Sequence, residues 1–221
     1  MAQQIDTDAS LRLSEMFFSI QGESTYAGLP CIFIRTTGCD LRCTWCDTAY
    51  AFSGGRRWRV AEIMAYIARW PCRLVELTGG EPMLQKNIHA LIAALLEQDY
   101  TVLIETGGHR DIRGLDERVI RIMDVKCPGS GEHEKVFWDN LPALRPVDQV
   151  KFVITGRADY DWAKQVIEKY ELTAGPEILF SPVFATMDAR ELAEWILADG
   201  IKARMQLQLH KFIWHPDTRG V

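Results

Sequence analysis

Long basic stretches and long apolar stretches are both absent from the sequence. Its 221 residues include 25 Lys and Arg against 30 Asp and Glu, which gives a formal net charge of −5 at pH 7. Because nucleic-acid-binding proteins present clustered Lys and Arg, we expect no nucleic-acid partner. The longest apolar stretch, around residues 88–96, is much shorter than the roughly 20 residues that a membrane-spanning helix needs. We therefore expect no membrane partner.

The sequence also lacks an export signal, because its first residues, Met1-Ala2-Gln3-Gln4-Ile5-Asp6, are polar. We therefore expect a cytoplasmic protein, in which the six cysteines stay reduced and serve metal chemistry instead of disulfides. No linker or internal repeat divides the chain, and its 48% hydrophobic content is enough for a sizeable core. We predict one domain over residues 1–221, with a short N-terminal segment and a C-terminal tail.

Half of the cysteines stand together in one loop with the spacing Cys-x3-Cys-x2-Cys, as Cys39, Cys43 and Cys46. Three thiolates from one loop hold a cluster of four irons and four sulfides, with one iron left open. A structural zinc site normally takes four ligands, often as two separated pairs. No second Cys-x-x-Cys pair occurs, since the other cysteines are isolated at Cys31, Cys72 and Cys127. The spacing favours an iron–sulfur cluster, with a zinc-binding interaction module as the alternative.

Short β-branched runs alternate with segments of helical spacing along the chain. We predict strands at 31–36, 73–78, 101–106, 119–126, 149–155 and 177–181, a last strand at 204–210, and no order in residues 1–10. We predict helices at 61–70, 86–98, 134–144, 159–170 and 188–198, the last with a capping box from Asp188 to Glu191 and Gly200 as its stop. Such alternation indicates a parallel sheet with right-handed crossovers.

The chain is too short for a full eightfold barrel, which needs about 250 residues. We therefore predict an α/β fold, a partial, open (β/α)6-type barrel of parallel strands with the site at the strand C-terminal ends. The distinctive polar motifs follow predicted strands: the cysteine loop, Gly79-Gly80-Glu81-Pro82, Asp124-Val125-Lys126 and Ser181-Pro182. Paired glycines let a ligand approach bare backbone, although a plain turn has the same appearance.

The cysteine loop resembles the signature of the radical S-adenosylmethionine superfamily. The resemblance implies that Cys39, Cys43 and Cys46 hold a [4Fe-4S] cluster whose open iron takes the amino and carboxylate groups of S-adenosylmethionine. It implies that the adenosyl radical, and no protein side chain, abstracts hydrogen. By the same resemblance, the residues that bind the cofactor are Gly80, Glu81, Asp124, Val125, Lys126, Ser181, Pro182, Val183 and Phe184.

A narrower resemblance rests on Gln21-Gly22-Glu23, Arg35 and Cys46-Asp47-Thr48 in a chain this short. From Phe17 to His210-Lys211 the sequence is similar to the 7-carboxy-7-deazaguanine synthase family. That family consists of lyases that convert 6-carboxy-5,6,7,8-tetrahydropterin to 7-carboxy-7-deazaguanine with loss of ammonia, in queuosine-type 7-deazapurine biosynthesis. The resemblance implies a homodimer, a flavodoxin- or ferredoxin-type reductant, and Mg2+ held by the Thr48 hydroxyl. Magnesium prefers such hard oxygen ligands.

The same resemblance assigns the substrate contacts to Ile20, Gln21, Gly22, Glu23, Arg35, Thr78, Glu105, His210 and the Val221 carboxylate. The planar fork of Arg35 suits a substrate carboxylate, and the carboxylates suit the N–H donors of a pterin. The alternatives are a structural ion pair for Arg35, solvated or bracing carboxylates for Glu23 and Glu105, a barrel-wall position for His210, and a frayed terminus for the tail.

One stretch departs from the family pattern. Asp124-Val125-Lys126-Cys127-Pro128 stands where some relatives carry Ser-Pro-Lys. An Asp-x-Lys element also occurs in glycyl-radical activating enzymes, which share the cysteine spacing and act on a protein glycine. Such an enzyme is the alternative within the superfamily, and it needs an open groove instead of a small pocket.

Overall fold

A continuous, twisted sheet forms the framework of the protein. The computed structural model describes residues 6–221. Within them, nine strands pair in the order β3-β1-β2-β4-β5-β6-β7-β8-β9. The strands are β1 (Ser10–Ile20), β2 (Pro30–Thr36), β3 (Arg56–Arg59), β4 (Leu74–Gly79), β5 (Thr101–Thr106), β6 (Ile120–Asp124), β7 (Gln149–Ile154), β8 (Glu177–Pro182) and β9 (Arg204–Met205).

Most of the sheet is parallel. From β2 through β4 to β9, each strand pairs in parallel with the next in the sheet order. At the other end, β1 runs antiparallel to both β2 and β3. Across the described residues β3 and β9 are the two edges and do not pair, so the sheet stays open. The predicted open, mostly parallel α/β barrel is therefore confirmed.

Within the described residues, four helices cover the outer face of the sheet: α1 (Val60–Ile67), α2 (Ile88–Glu97), α3 (Arg157–Lys169) and α4 (Ala189–Asp199). The short α5 (His210–Ile213) lies at the rim of the inner cavity. On α2, Leu91, Ile92 and Leu95 face the sheet, as the helical spacing of this segment predicts. The space between the helices and the sheet is therefore filled by apolar side chains. None of the helices in the described part of the chain is long and apolar enough to cross a membrane.

The strands themselves sort their residues between core and cavity. Alternate side chains on a strand point to opposite faces. On β4, Val75 and Leu77 join the core, whereas Glu76 and Thr78 line the inner cavity. On β7, Val150 and Phe152 join the core and Lys151 lines the cavity. The curved sheet therefore has an apolar outer face and a polar, charged inner face.

The predicted helix at 134–144 is wrong. This stretch contains two short 3-10 turns, His133–Lys135 and Trp138–Ala143. Val136 adopts φ −58° and ψ 128°, which is not helical, and Pro142 has no N–H to continue a helix. The chain therefore crosses from β6 to β7 without an α-helix.

Other differences lie at the edges of the fold. β1 and β3 were not predicted as strands, and Ser10, which we expected to lack order, opens β1; residues 1–5 lie outside the described part. The expected last strand shrinks to Arg204–Met205, because the chain turns into α5 at His210. Asp188 caps α4 through Arg190 N at 2.9 Å instead of the predicted box with Glu191, whereas Gly200 ends this helix at φ 59° as predicted.

Candidate active site

A cavity of about 720 Å3 opens at the carboxyl ends of the parallel strands. The site residues predicted from the sequence all line this cavity, with the exception of Val125. The Val125 side chain is buried in the core, and its backbone N–H donates to Lys151 O at 2.8 Å. Segments distant in the sequence thus converge on one site, as expected of a barrel whose strand ends carry the functional groups.

The cysteine loop forms one wall of the cavity, with Cys39, Cys43 and Cys46 all partly exposed to it. Burial raises the pKa of Cys43 to about 11, against the opposing charge of Lys126. These thiols therefore need bound metal to become thiolates at neutral pH. No three His, Cys, Asp or Glu side chains in residues 6–221 converge on one ion. A four-iron cluster does not require this, because each thiolate binds a separate iron.

Gly80 lets the loop after β4 lie directly against the cysteine loop. A Cβ on Gly80 would stand 2.1 Å from Gly38 O, so any larger residue would push the two loops apart. Glu81 N donates to Gly38 O at 2.7 Å and fastens the contact. The Glu81 carboxylate is buried and accepts from Thr106 Oγ1 at 2.9 Å and from Gly107 N at 2.9 Å. It braces the ends of β4 and β5 beside the cysteines.

A buried ion pair lies beneath the cysteines. Lys126 Nζ donates to Asp124 Oδ2 at 2.7 Å and lies 4.9 Å from the centre of the Trp45 ring. Burial acts to lower the pKa of Lys126, but the charges of Asp124 and Cys43 outweigh burial and raise the pKa above its usual value. Asp124 Oδ1 is buried with no hydrogen-bond partner among the described residues. It is an acceptor that a bound polar ligand would satisfy, and this cradle fits S-adenosylmethionine.

Arg35 projects into the opposite side of the cavity. Its Nε donates to Glu15 Oε1 at 2.8 Å, and Tyr50 Oη donates to the same oxygen at 2.7 Å. The ion pair proposed as an alternative role for Arg35 is thus present. The pair engages Nε and so orients the guanidinium, and among the described residues the terminal nitrogens have no hydrogen-bond partner. An arginine held in this way is suited to a bidentate carboxylate.

Two charged residues that sequence reasoning missed lie at the centre of the cavity. Lys151 Nζ donates to Glu23 Oε2 at 2.8 Å and to Glu105 Oε1, which joins two of the predicted substrate residues. Glu76 accepts from Gln21 Nε2. Burial raises the pKa of Glu76 well above its usual value, and the charges of Glu105 and Glu23 add to the effect. The sequence signal that could have identified Lys151 and Glu76 is a charged residue within an otherwise apolar, β-branched strand.

The loop after β1 and the segment before α5 meet at the rim of the cavity. Leu209 N donates to Gly22 O at 2.9 Å, and Gln208 Nε2 donates to Glu23 Oε1 at 2.9 Å. Burial lowers the pKa of His210, so this imidazole is largely neutral at neutral pH. Val221 lines the cavity, which places the tail at the mouth, as the proposed contact from its carboxylate requires.

Thr48 lies at the same rim. Its Oγ1 donates to Asp47 Oδ1 at 2.8 Å, and Lys211 Nζ donates to Asp47 Oδ2 at 2.8 Å. Burial acts to raise the pKa of Asp47, but the Lys211 charge and these hydrogen bonds hold it well below its usual range. Asp47, which was not assigned a role from the sequence, is therefore an ionised oxygen donor beside the Thr48 hydroxyl.

Comparison with known proteins gives consistent matches. The sequence model described as the Radical SAM superfamily matches residues 33–128. A 7-carboxy-7-deazaguanine synthase from Koribacter versatilis is 43% identical over 226 residues, which cover 96% of this chain and 100% of the relative. One from Chlorobaculum tepidum is 44% identical over 220 residues, with coverage of 98% and 100%.

A solved structure matches the fold. The crystal structure of QueE from Escherichia coli superposes with a TM-score of 0.78 at 22% identity, covering 95% of this chain and 100% of that chain. At this identity the similarity shows a shared fold. Membership of the family is shown by the two relatives described above.

Proposed function

The chain belongs to the 7-carboxy-7-deazaguanine synthase family of the radical S-adenosylmethionine superfamily, and we propose that it shares that family's reaction. This lyase reaction converts 6-carboxy-5,6,7,8-tetrahydropterin to 7-carboxy-7-deazaguanine with loss of ammonia and serves 7-deazapurine biosynthesis. The observation that carries the proposal is the single cavity that joins the cysteine loop to the Gln21–Glu23 segment and Arg35.

A [4Fe-4S] cluster and S-adenosylmethionine are the cofactors of this superfamily. When bound, they would supply the adenosyl radical chemistry that abstracts hydrogen from the substrate carbon bearing the carboxylate. Cys39, Cys43 and Cys46 hold the cluster, and the exposed backbone at Gly80 with the free oxygen of Asp124 faces the cofactor. The protein contributes mainly proximity, because it must hold one C–H bond in place and exclude other hydrogen donors.

The substrate lies between Arg35 and the acidic centre of the cavity. Arg35, oriented by Glu15, takes the substrate carboxylate. Glu23 and Glu105 accept from the pterin N–H groups, and Thr78, whose Oγ1 donates to Glu105 Oε2 at 3.3 Å, aligns one of them. Ile20, Gln21, Gly22, His210 and Val221 close the mouth above the substrate.

Magnesium belongs at Thr48 in this proposal. The Thr48 hydroxyl and the ionised Asp47 carboxylate present hard oxygens at the rim, and Mg2+ typically combines few protein oxygens with substrate and water. Its charge would stabilise the negative charge of the substrate during rearrangement.

The loop after β1 meets the segment before α5 at the rim of the cavity, and this partial cover suits a small substrate. A glycyl-radical activating enzyme needs a groove open to a protein segment, so this architecture favours the pterin. We also propose a homodimer in the cytoplasm that receives electrons from a flavodoxin- or ferredoxin-type protein.

The proposal is tested by asking which molecule couples to cofactor cleavage. The reconstituted protein is incubated anaerobically with S-adenosylmethionine and a reductant, and 5′-deoxyadenosine is measured. We expect 6-carboxytetrahydropterin to stimulate cleavage, and the same pterin without its carboxylate to stimulate it far less, because Arg35 loses its partner. Equal cleavage with and without the carboxylated pterin would refute the assignment, and colourless protein with one tightly bound zinc would point to the interaction module.

A further inference from the structure

Lys151 is a buried cation inside the cavity, and none of the sequence motifs includes it. It lies in β7, and its side chain is only 6% exposed. Its Nζ donates to Glu23 Oε2 at 2.8 Å and also to Glu105 Oε1. Glu23 follows β1 and Glu105 lies in β5. One ammonium group therefore joins carboxylates from two separate elements of the fold.

Both carboxylates retain room for a ligand. Glu105 Oε2 accepts from Thr78 Oγ1 at 3.3 Å, and Glu23 Oε1 accepts from Gln208 Nε2 at 2.9 Å. An ionised carboxylate offers about four acceptor positions, so neither group is saturated by these protein donors. Because both side chains line the cavity, the remaining lone pairs are available to a bound molecule.

Glu76 shows what becomes of a carboxyl group in the same cavity without a bonded cation. Its hydrogen bond comes from the neutral Gln21 amide. Burial raises the pKa of Glu76 well above its usual value, and the negative charges of Glu105 and Glu23 add to the effect. Burial also acts to raise the pKa of Glu23, yet the charge and hydrogen bond of Lys151 outweigh it and lower that pKa. The two glutamates differ in their contact with Lys151, which donates a hydrogen bond to Glu23 but acts on Glu76 through its charge alone.

We propose that Lys151 is a positioning residue that holds Glu23 and Glu105 as a pair of acceptors, and so selects a ligand edge that carries N–H donors. The inference rests on the proposed function, since the amino-amide edge of a pterin is such an edge. An ionised carboxylate only accepts hydrogen bonds, whereas a protonated carboxyl group also donates. Without the lysine charge, Glu105 loses its ion-pair partner and the pKa of Glu23 rises, so that a protonated Glu23 presents a donor to the donors of the ligand.

Other titratable groups line the same cavity. They come from β2, β4, β6 and the loop after it, the cysteine loop and α5, and include Arg35, Glu76, Asp124, Lys126, Asp47, His210 and Lys211. Asp124 pairs with Lys126 at 2.7 Å and lies 3.8 Å from Lys151, and Asp47 pairs with Lys211 at 2.8 Å. Among the described residues, Glu23 and Glu105 form their ion pairs with Lys151 alone. Removing its charge therefore acts first on these two.

The test compares Lys151→Met, Lys151→Gln and Lys151→Arg in the cluster-loaded enzyme between about pH 6 and about pH 9, a range that spans the raised carboxyl pKa expected. KM for 6-carboxytetrahydropterin, kcat and uncoupled cleavage of S-adenosylmethionine are measured at each pH. Ratios to the unchanged enzyme cancel the ionisation of the substrate. Lys164→Met removes a lysine that pairs with Asp199 on the outer surface and is the matched control.

For Lys151→Met and Lys151→Gln we expect the KM ratio to be largest at low pH and to fall as pH rises. The ionised fraction of a carboxyl group drops about tenfold for each pH unit below its pKa, so the KM ratio changes by up to that factor. Uncoupled cleavage should stay close to that of the unchanged enzyme. Lys151→Arg keeps the charge and should keep a flat ratio, as should Lys164→Met. Lys151→Gln removes the charge but keeps a hydrogen-bond donor. It therefore still tests the inference if Lys151→Met fails to fold.

A KM ratio that is independent of pH in the neutral variants would overturn the inference, because a merely structural role raises KM equally at every pH. A pH-dependent ratio in Lys151→Arg would overturn it as well. If the unchanged enzyme does not convert the pterin at any pH, the proposed function fails instead. The two failures are therefore distinguishable in one set of measurements.

Discussion

The thiols of the cysteine loop differ from the other cysteines in what surrounds them. Cys43 faces the cavity beside Lys126, where burial raises its pKa to about 11. Cys72 instead donates to Pro30 O at 3.2 Å, outside the cavity. Burial disfavours the thiolate form of a cysteine, whereas a bound metal stabilises it. Cluster binding and deprotonation of these thiols are therefore coupled.

Replacing Cys43 by Ala should therefore abolish cluster binding, because two thiolates do not retain a four-iron cluster. We expect loss of iron, loss of acid-labile sulfide and no 5′-deoxyadenosine. Cys72→Ala should leave all three unchanged. Iron, sulfide and cofactor cleavage are measured after anaerobic reconstitution, and equal losses in both variants would contradict the ligand assignment.

A second prediction at this scale concerns magnesium. Thr48→Ala removes the hydroxyl at the rim but leaves the cluster untouched, so cofactor cleavage should persist. The magnesium concentration needed for half-maximal product formation should rise by about tenfold or more, a loss typical of weakened metal sites. Thr48→Ser keeps the hydroxyl and should be milder. A magnesium titration of product formation that is the same in Thr48→Ala and the unchanged enzyme would remove Thr48 from the site.

At the scale of elements, the loop after β1 and the segment before α5 act as one cover. Ser24 N donates to Gln206 Oε1 at 2.7 Å, and Leu209 N donates to Gly22 O at 2.9 Å. Gly22 is required at the closest approach, since a Cβ there would lie 2.1 Å from His210 Nδ1. These two sequence-distant segments are thus fitted together at the rim of the cavity.

Gly22→Ala should open this cover. The added methyl group forces His210 aside, at the cost of about 1–3 kcal/mol that is typical of overpacking. We expect a higher KM for the pterin with unchanged iron content. Gly114→Ala is the matched control, because a Cβ there meets nothing within 4 Å. If the two variants show the same KM, the cover does not act on the substrate.

The tail beyond α5 is a separate element with its own test. Val221 lines the cavity, and Arg219 stacks 4.0 Å from the centre of the Tyr50 ring. Appending two residues after Val221 moves the terminal carboxylate away from the substrate. Losing a buried acceptor costs about 1–3 kcal/mol, which corresponds to roughly 5- to 150-fold in kcat/KM. Uncoupled cofactor cleavage should be retained; an unchanged kcat/KM would assign the tail to a frayed terminus.

The local sequence patterns predicted some of these elements and missed others. The parallel strands were predictable because β-branched runs end in polar motifs, and those motifs indicated the cavity. β1 was missed because Leu11–Ile20 mixes apolar and polar residues, and its pairing with β2 and β3 depends on residues far along the chain. Lys151 and Glu76 were missed because strand alternation does not say which face becomes a cavity until the sheet curves.

At the scale of the whole molecule, one open sheet gathers the cysteine loop, Arg35 and the two glutamates paired with Lys151 around one cavity. Each of these groups alone occurs in proteins of many different functions. Their combination around one cavity of about 720 Å3 favours a small, carboxylated, N–H-rich substrate over a peptide. The relatives show the family, and the arrangement of these groups is consistent with the reaction of that family.

The most direct measurement is the product of anaerobic turnover. The reconstituted enzyme is supplied with 6-carboxytetrahydropterin, S-adenosylmethionine, Mg2+ and a reductant, and the mixture is analysed by mass spectrometry and an ammonia assay. The account predicts 7-carboxy-7-deazaguanine and ammonia in equal amounts, with neither formed by Cys43→Ala. Formation of 5′-deoxyadenosine while the pterin remains intact would contradict it.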